Sequence, residues 1–360
     1  MNNSSILNSK IFKPLLISAL FLLFCVKPTL SFSQEKAAEA SGKPFDPKEV
    51  VFEHIGDSHS WHMFGKAALP LPIILYTDKG LEIFSSGDFE HGHADHVGKY
   101  YTYRLVKDKV NIVGANDSLI ASASVIKLNK KLIDFSITRN VASMWMGMII
   151  LLLVFFTITS SYKKRAGKAP KGLQSFLEPV VLFVRDEVAI PNIGVKYAKY
   201  LPLLLTIFFF ILINNLLGLV PFFPGGFNLT GNIAVTLVLS FIVLIVINVS
   251  GNKYYWKHIF KPDIPIALYI IMIPVEVIGI ISKPFALMIR LFANITAGHI
   301  IVLSLISLIF IFKTAWMSTV SVPFVVFMDC IELLVAFLQA FIFTMLTSLF
   351  IGMAVEEHHH

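Results

Sequence analysis

The chain has 360 residues, of which 56% are hydrophobic and only 15% charged, so it is too apolar for a soluble protein, in which about a quarter of residues are charged. Its formal net charge of +7 does not indicate nucleic-acid binding, because the basic residues cluster in short loops beside apolar runs. Two cysteines, Cys25 and Cys330, imply no disulfide framework. The composition predicts a polytopic membrane protein.

The N-terminal segment is typical of a secretory signal. Lys10 and Lys13 flank the start of an apolar run over residues 14–26, and the small residues at 31–33 suit cleavage. We therefore expect residues 1–33 to be a signal peptide. An uncleaved anchor helix is the alternative, but the apolar run falls short of the ~20 residues that a span needs.

Residues 34–137 have a soluble composition and are expected to form an extracytoplasmic, histidine-rich region. Short β-like runs between turn residues predict strands over residues 71–76, 81–84, 100–106 and 110–113. The histidines are His54, His59, His62, His91, His93 and His96. The last three could ligate zinc, but their loop has no cysteine and no helical i,i+4 spacing, so a solvated loop is favoured.

Residues 138–360 are expected to form the membrane domain. Its apolar segments are residues 141–162, 200–220, 232–249, 264–312 and 322–355. The first ends in Lys163 and Lys164, so by the positive-inside rule it enters the cytoplasm, and the later segments alternate in direction. Residues 172–189 have an amphipathic pattern and are expected to lie along the inner membrane surface.

The last two segments are longer than one perpendicular crossing requires, so they are expected to tilt and to form a long C-terminal hairpin. Lys313, Trp316 and Pro323 are expected to mark the break between its arms on the outer side. The predicted fold class is an all-α polytopic membrane protein. It has about five membrane-embedded helices, an interfacial amphipathic helix and a small exported N-terminal region with some β structure.

Arg290, near the middle of the first hairpin arm, is the most informative residue. A charge at the membrane centre costs about 2.5 to 3.5 kcal/mol even on lenient scales, so it usually faces a protein partner, a cavity or an ion path. Helical periodicity places Glu276, Arg290 and Asn294 on one stripe. Glu332 and Gln339 share a face of the second arm. These polar positions indicate ion transport.

The order of several motifs in the membrane domain resembles subunit a of the bacterial F-type (rotary) ATP synthase, part of its membrane Fo sector. The motifs are Ser282-Lys283-Pro284, Arg290-Leu291-Phe292-Ala293-Asn294, Ala297-Gly298-His299, residues 338–343 (LQAFIF) and residues 215–221 (NLLGLVP). The resemblance covers residues 132–357 and excludes the histidine-rich region.

The resemblance implies a non-catalytic stator beside a rotating ring of c subunits, each with a membrane carboxylate. Two offset half-channels would load and unload protons on that ring and so couple the proton gradient to ATP synthesis. The implied partners also include the peripheral-stalk b subunit, the remaining ATP synthase subunits and membrane lipid. The implied location is the bacterial plasma (inner) membrane, with the N-terminal region outside and the C-terminus in the cytoplasm. The resemblance implies no cofactor, metal or nucleic acid.

Residue by residue, Arg290 matches the family's essential arginine, which attracts the ionised ring carboxylate and stops protons crossing directly. His299 and Glu332 match the outer half-channel pair, with the two residue types exchanged relative to some members. The other matches are Gln339 close to the arginine, Asn294 and Asn215 lining or supporting the path, and Glu276 in the inner half-channel.

Structural interpretations stay open for these residues. Arg290 could snorkel, His299 and Glu332 could form a static interhelical hydrogen bond, and Glu276 and Lys283 could reach the inner headgroups. Asp329, near the outer end of its arm, is expected to be a boundary residue.

Two other functions fit the sequence less well. A self-contained secondary transporter would be expected to show duplicated halves, and no such pattern is seen. An intramembrane metalloenzyme using His299 and Glu332 would need a histidine spacing of the HExxH type, which the sequence lacks.

Overall fold

The computed structural model describes residues 56–64, 67–92, 94–106, 108–113, 119–122, 132–164, 167–220, 229–261, 265, 269–312 and 314–356. These residues fall into two compact units. The first unit takes its described residues from 1–145, 220–227 and 306–319, and the second from 146–219, 228–305 and 320–360. The expected signal peptide, His54 and His93 lie outside the described residues.

The described part of the first unit contains short antiparallel strands. They are β1 (Ser60–Phe64), β2 (Ala67–Pro70), β3 (Pro72–Thr77), β4 (Gly80–Ser85), β5 (His96–Val97), β6 (Thr102–Val106), β7 (Lys109–Val113), β8 (Leu119–Ser122) and β9 (Leu132–Asp134). The sheets have the strand orders β1-β2, β4-β3-β9 and β5-β6-β7-β8. The four strands expected from the sequence are present as β3, β4, β6 and β7.

Alternation along β3 explains how this unit forms its core. Ile73 and Leu75 point to one side and are fully buried, where they pack with Phe89 and Tyr103. Tyr76 points to the other side and pairs across the strand with Leu81. A two-residue turn at Asp78 and Lys79 joins β3 to β4.

Helices follow the strands along the described chain. They are α1 (Arg139–Lys164), α2 (Leu173–Phe183), α3 (Ile190–Ile193), α4 (Tyr197–Leu219), α5 (Ile233–Ser250), α6 (Lys253–Phe260), α7 (Tyr269–Phe312) and α8 (Ala315–Val355). Within the described residues, five helical stretches are long and apolar enough to cross a membrane: Arg139–Lys164, Leu173–Leu219, Ile233–Ser250, Tyr269–Phe312 and Trp316–Val355. The expected all-α polytopic fold is confirmed.

The segment expected to be amphipathic at residues 172–189 is helical from Leu173. A π-helical turn, Val184–Ala189, continues α2 into α3. Gly194 has φ 68° and ψ −139°, which is not a helical conformation, so it ends this run. A 3-10 turn, Gly194–Lys196, then leads into α4, and the helical segment before Gly194 is a few residues longer than the sequence predicted.

The break between the hairpin arms is also shorter than expected. α8 begins at Ala315, so Trp316 and Pro323 lie inside the helix instead of in a break. Proline removes one backbone donor, and transmembrane helices tolerate this where neighbouring groups satisfy the freed carbonyl. The sequence placed the hairpin correctly but put the start of its second arm several residues too late.

The hydrophobic core of the second unit brings four of these helices together. Its fully or nearly fully buried members include Leu204, Phe208 and Ile211 of α4, Val243 of α5, Leu287 and Leu291 of α7, and Ala340 and Phe343 of α8. Packing against α4 and α5 fixes which faces of α7 and α8 are buried. That packing positions the polar residues of the hairpin.

Candidate functional site

The two hairpin arms meet at Arg290 and Gln339. Gln339 is 2% exposed, and its Nε2 donates a hydrogen bond to the Arg290 backbone carbonyl at 3.4 Å. The contact engages only the backbone of Arg290. The Arg290 side chain lies on the exposed surface of the second unit, at the centre of α7.

The exposed face of α7 around Arg290 carries several small side chains. Ala286, Ala293 and Ala297 are exposed on the same helix, and Asn294 is exposed one turn after Arg290. Small residues on a membrane helix allow another helix to approach closely. The structure thus places a guanidinium and an amide on a surface that is shaped for close helix packing.

Farther along the hairpin, an imidazole meets a carboxylate between the arms. His299 Nδ1 lies 3.3 Å from Glu332 Oε1, with the two side chains 18% and 4% exposed. Gly298 is part of this arrangement, because a Cβ there would lie 3.1 Å from the same Glu332 oxygen. Glu332 is therefore buried beside a position where any larger side chain would push against its carboxylate.

Asn215 connects a third helix to the hairpin. Its Nδ2 donates to the backbone carbonyl of Ala336 at 3.3 Å, and its Oδ1 accepts a hydrogen bond from Thr230 at 2.6 Å. Ala336 lies between Glu332 and Gln339 on the buried stripe of α8. Polar groups therefore follow this stripe from the His299 contact to the Arg290 contact.

Glu276 lies apart from these groups. It precedes Arg290 by 14 positions on α7, which corresponds to roughly 21 Å along the helix axis. It is half-buried and close to α6. The pKa of Tyr255 in α6 is raised, first by burial and to a smaller extent by the negative charge of Glu276. Lys283 lies between Glu276 and Arg290 in sequence. Its Nζ is 5.4 Å from the centroid of the Phe350 ring.

Asp329 is more buried than the sequence predicted. As a boundary residue it should be partly accessible, but its side chain is 0% exposed and lies on the same buried stripe of α8 as Glu332. The three-residue spacing between the two acids could have indicated a shared face. Only the packing of α8 shows that this face is buried.

Of the three histidines that could ligate zinc, His91, His93 and His96, only His96 has a described side chain. Where the first unit is described, His96 stacks on Phe84 with ring centroids 4.0 Å apart, and its Nδ1 lies 3.3 Å from Asp88. His59 lies 3.4 Å from Asp134. Across the described residues of the whole chain, no group of three or more His, Cys, Asp or Glu side chains is arranged to hold a metal ion.

The fold and these polar groups define a polytopic α-helical membrane protein whose C-terminal hairpin carries titratable side chains within membrane-length helices. Residues 141–352 match the family model for the ATP synthase A chain. The chain belongs to that family. Residues 50–135 match a second model, described as a domain of unknown function (DUF8433).

Named relatives agree with the family match. "ATP synthase subunit a" of Chloroherpeton thalassium is 48% identical over 233 residues, which cover 63% of this chain and 69% of the relative. The protein of the same name from Pelodictyon phaeoclathratiforme is 51% identical over 235 residues, covering 63% of this chain and 68% of the relative. A third protein of that name, from Anaeromyxobacter sp., is 43% identical over 236 residues, which cover 63% of this chain and 56% of the relative.

Proposed function

We propose that this chain is the proton-channel stator subunit of an F-type ATP synthase. Two offset half-channels would load and unload protons on the carboxylates of a rotating c-subunit ring, with the b subunit and the remaining synthase subunits completing the complex. The observation that carries the proposal is the exposed guanidinium of Arg290 at the centre of α7, in a chain of the ATP synthase A chain family.

Exposure of Arg290 calls for a protein partner. A charged side chain at the centre of a span costs about 2.5 to 3.5 kcal/mol if lipid covers it. An acidic partner offsets that cost, and the small neighbours Ala286, Ala293 and Ala297 leave room for a second helix to carry the acid. A ring of c subunits with one membrane carboxylate each meets both requirements.

Arginine suits the position because its guanidinium stays charged at every relevant pH. It can attract an ionised ring carboxylate but cannot itself pass a proton on. Protons that reach the ring from one side would therefore be carried round by rotation instead of crossing directly beside Arg290. A lysine at this position could lose its proton when desolvated, so it would be a poor replacement.

The other polar residues divide between two half-channels in this proposal. His299, Glu332 and Asn215 would serve the outer half-channel, and Glu276 the inner one. Asn294 and Gln339 would flank the arginine. The basic residues after α1 and around α6 favour a cytoplasmic position for those loops by the positive-inside rule. Residues 34–137 would then lie outside and the C-terminus inside.

Energetics explain why a rotating partner is needed. One charge that moves through 100 mV releases about 2.3 kcal/mol, which is less than the synthesis of one ATP requires. Several protons must therefore contribute to each ATP. A ring that accepts protons one at a time and turns against this subunit would collect their energy mechanically.

The deciding experiment is ATP-driven acidification of inverted membrane vesicles that carry Arg290→Ala. We expect pumping to be lost while immunoblots show an assembled complex. Arg185→Ala is a matched control, because Arg185 lies outside the two hairpin helices and pairs with its neighbour Asp186 at 2.7 Å. Normal pumping by the Arg290 variant would refute the proposed function.

A further inference from the structure

The inference concerns Asp329, which the proposed half-channels leave without a role. Its carboxylate is 0% exposed, as deeply buried as any residue of the second unit's core. It precedes Glu332 by three residues, which corresponds to about 4.5 Å along the helix axis. Burying a carboxylate is costly unless specific neighbouring groups stabilise it. The position of Asp329 therefore differs from that of a residue at a helix boundary.

The contacts between the hairpin arms show where Asp329 lies. Gln339 contacts Arg290, and Glu332 contacts His299, so the arms are antiparallel and residues nearer the start of α8 face residues nearer the end of α7. Asp329 is thus one turn beyond the His299–Glu332 pair, on the side away from Arg290. In the proposed orientation this is the outer side, from which protons arrive.

The titratable groups around this position can be named from the helices of the second unit's core. Past Arg290, α7 carries only His299. After Tyr200, α4 carries none, and α5 carries none. On α8 the groups are Asp329, the exposed Cys330 and Glu332. In these stretches of α4, α5, α7 and α8, the titratable groups other than Asp329 and Cys330 are therefore one imidazole and one carboxylate.

We propose that Asp329, Glu332 and His299 form one coupled proton-binding cluster, in which the charge of Asp329 strengthens proton capture at the other two. Carboxylates three residues apart on a helix are neighbours, at about 5–6 Å between Cβ atoms. Two negative charges at this separation repel each other. Protonation of the cluster is therefore favoured, and its sites titrate together. The ligand is the proton, and the inference rests on the proposed function.

The test uses whole synthase complexes in inverted vesicles, whose lumen corresponds to the outer side. A fixed potassium–valinomycin potential drives ATP synthesis while the lumenal pH is varied. For Asp329→Asn we expect the pH of half-maximal synthesis to move about one unit toward acid, because removal of one charge weakens proton capture at its neighbours. Asp329→Ser is a second uncharged variant in case the asparagine variant does not assemble.

Two further variants separate charge from packing. Asp329→Glu keeps the charge and should retain the wild-type midpoint, and Cys330→Ser alters the adjacent exposed residue and should also leave it unchanged. The inference is overturned if an assembled uncharged variant keeps the wild-type midpoint, or if Asp329→Glu shifts it equally. Arg290→Ala in the same assay tests the proposed function by itself, since synthesis should then be absent at every pH.

Discussion

At the scale of single residues, the His299–Glu332 contact depends on a neighbour that has no side chain. Gly298 precedes His299 on α7, and a Cβ at that position would lie 3.1 Å from Glu332 Oε1 and 3.3 Å from its Cδ. Contacts this short require the neighbour to shift. The glycine therefore allows the imidazole and the carboxylate to meet between two closely packed helices.

Gly298→Val should reduce proton pumping severely while the complex still assembles. The branched side chain would displace the Glu332 carboxylate from His299, and in the proposed function this interrupts the outer half-channel. ATP-driven acidification of inverted vesicles measures the effect.

Gly279→Val is the matched control, because Gly279 is on the same helix and a Cβ there meets no atom within 4 Å. Its pumping should equal that of the unaltered protein. Equal pumping by both variants would show that Glu332 does not need its observed position.

At the scale of elements, the helical run before α4 and the end of α8 are joined through backbone groups. Ser348 Oγ donates to the Val188 carbonyl at 3.0 Å, in the π-helical turn. Gly352, one turn later, faces the Asn192 carbonyl so closely that a Cβ would overlap it. Asn252 Nδ2 donates to the Val355 carbonyl at 2.8 Å, which satisfies one of the last carbonyls of α8.

Gly352→Ala should destabilise this junction by about 1–3 kcal/mol, because the obstructing atom is a backbone oxygen that cannot rotate away. We expect a lower melting temperature for the solubilised protein. In contrast, Gly279→Ala has open space and should be neutral or slightly stabilising, since alanine favours helix over glycine by roughly 1 kcal/mol. An unchanged melting temperature for Gly352→Ala would show that the helices separate there at little cost.

At the scale of the whole molecule, the chain joins a membrane unit to a unit of short sheets with its own core. In the first unit, the His59–Asp134 pair links the segment before β1 to β9, and Ser136 N donates to Asp134 at 2.8 Å. Burial raises the pKa of Asp134, but the nearby His59 imidazole and the hydrogen bond from Ser136 outweigh that effect. The net pKa lies below the ordinary value for aspartate.

The sign of this shift predicts a pH dependence. Because the folded pKa is lowered, the stabilisation is present above the unfolded pKa of about 4 and is lost as the pH falls through the folded pKa. Asp134→Asn should therefore cost about 1–2 kcal/mol at pH 7 and progressively less in acid.

Hydrogen exchange of the β3 and β9 amides in the full-length protein measures this difference, because the two strands pair directly. Asp78→Asn is a control, since Asp78 accepts only an exposed hydrogen bond from Tyr101 in the described contacts. A difference between wild type and Asp134→Asn that stays constant down to low pH would contradict the assigned pKa direction.

The sequence by itself determined the membrane class, the number of long apolar helices and the four clearest strands. These depend on local composition and period, which each segment carries on its own. It also singled out Arg290, because a charge in a long apolar run is conspicuous without any knowledge of neighbours. The motifs around Arg290 and His299 were sufficient to indicate the family.

Tertiary structure decided which polar residues are buried and which meet. Nothing local distinguishes Asp329 from a boundary residue, since its burial depends on how α8 packs on other helices. Helical continuity from α2 to α3 and the early start of α8 depend likewise on neighbours that stabilise π-helical and proline-containing turns. The closeness of Gly298 to Glu332 arises between segments far apart in sequence, so only the packed hairpin could show it.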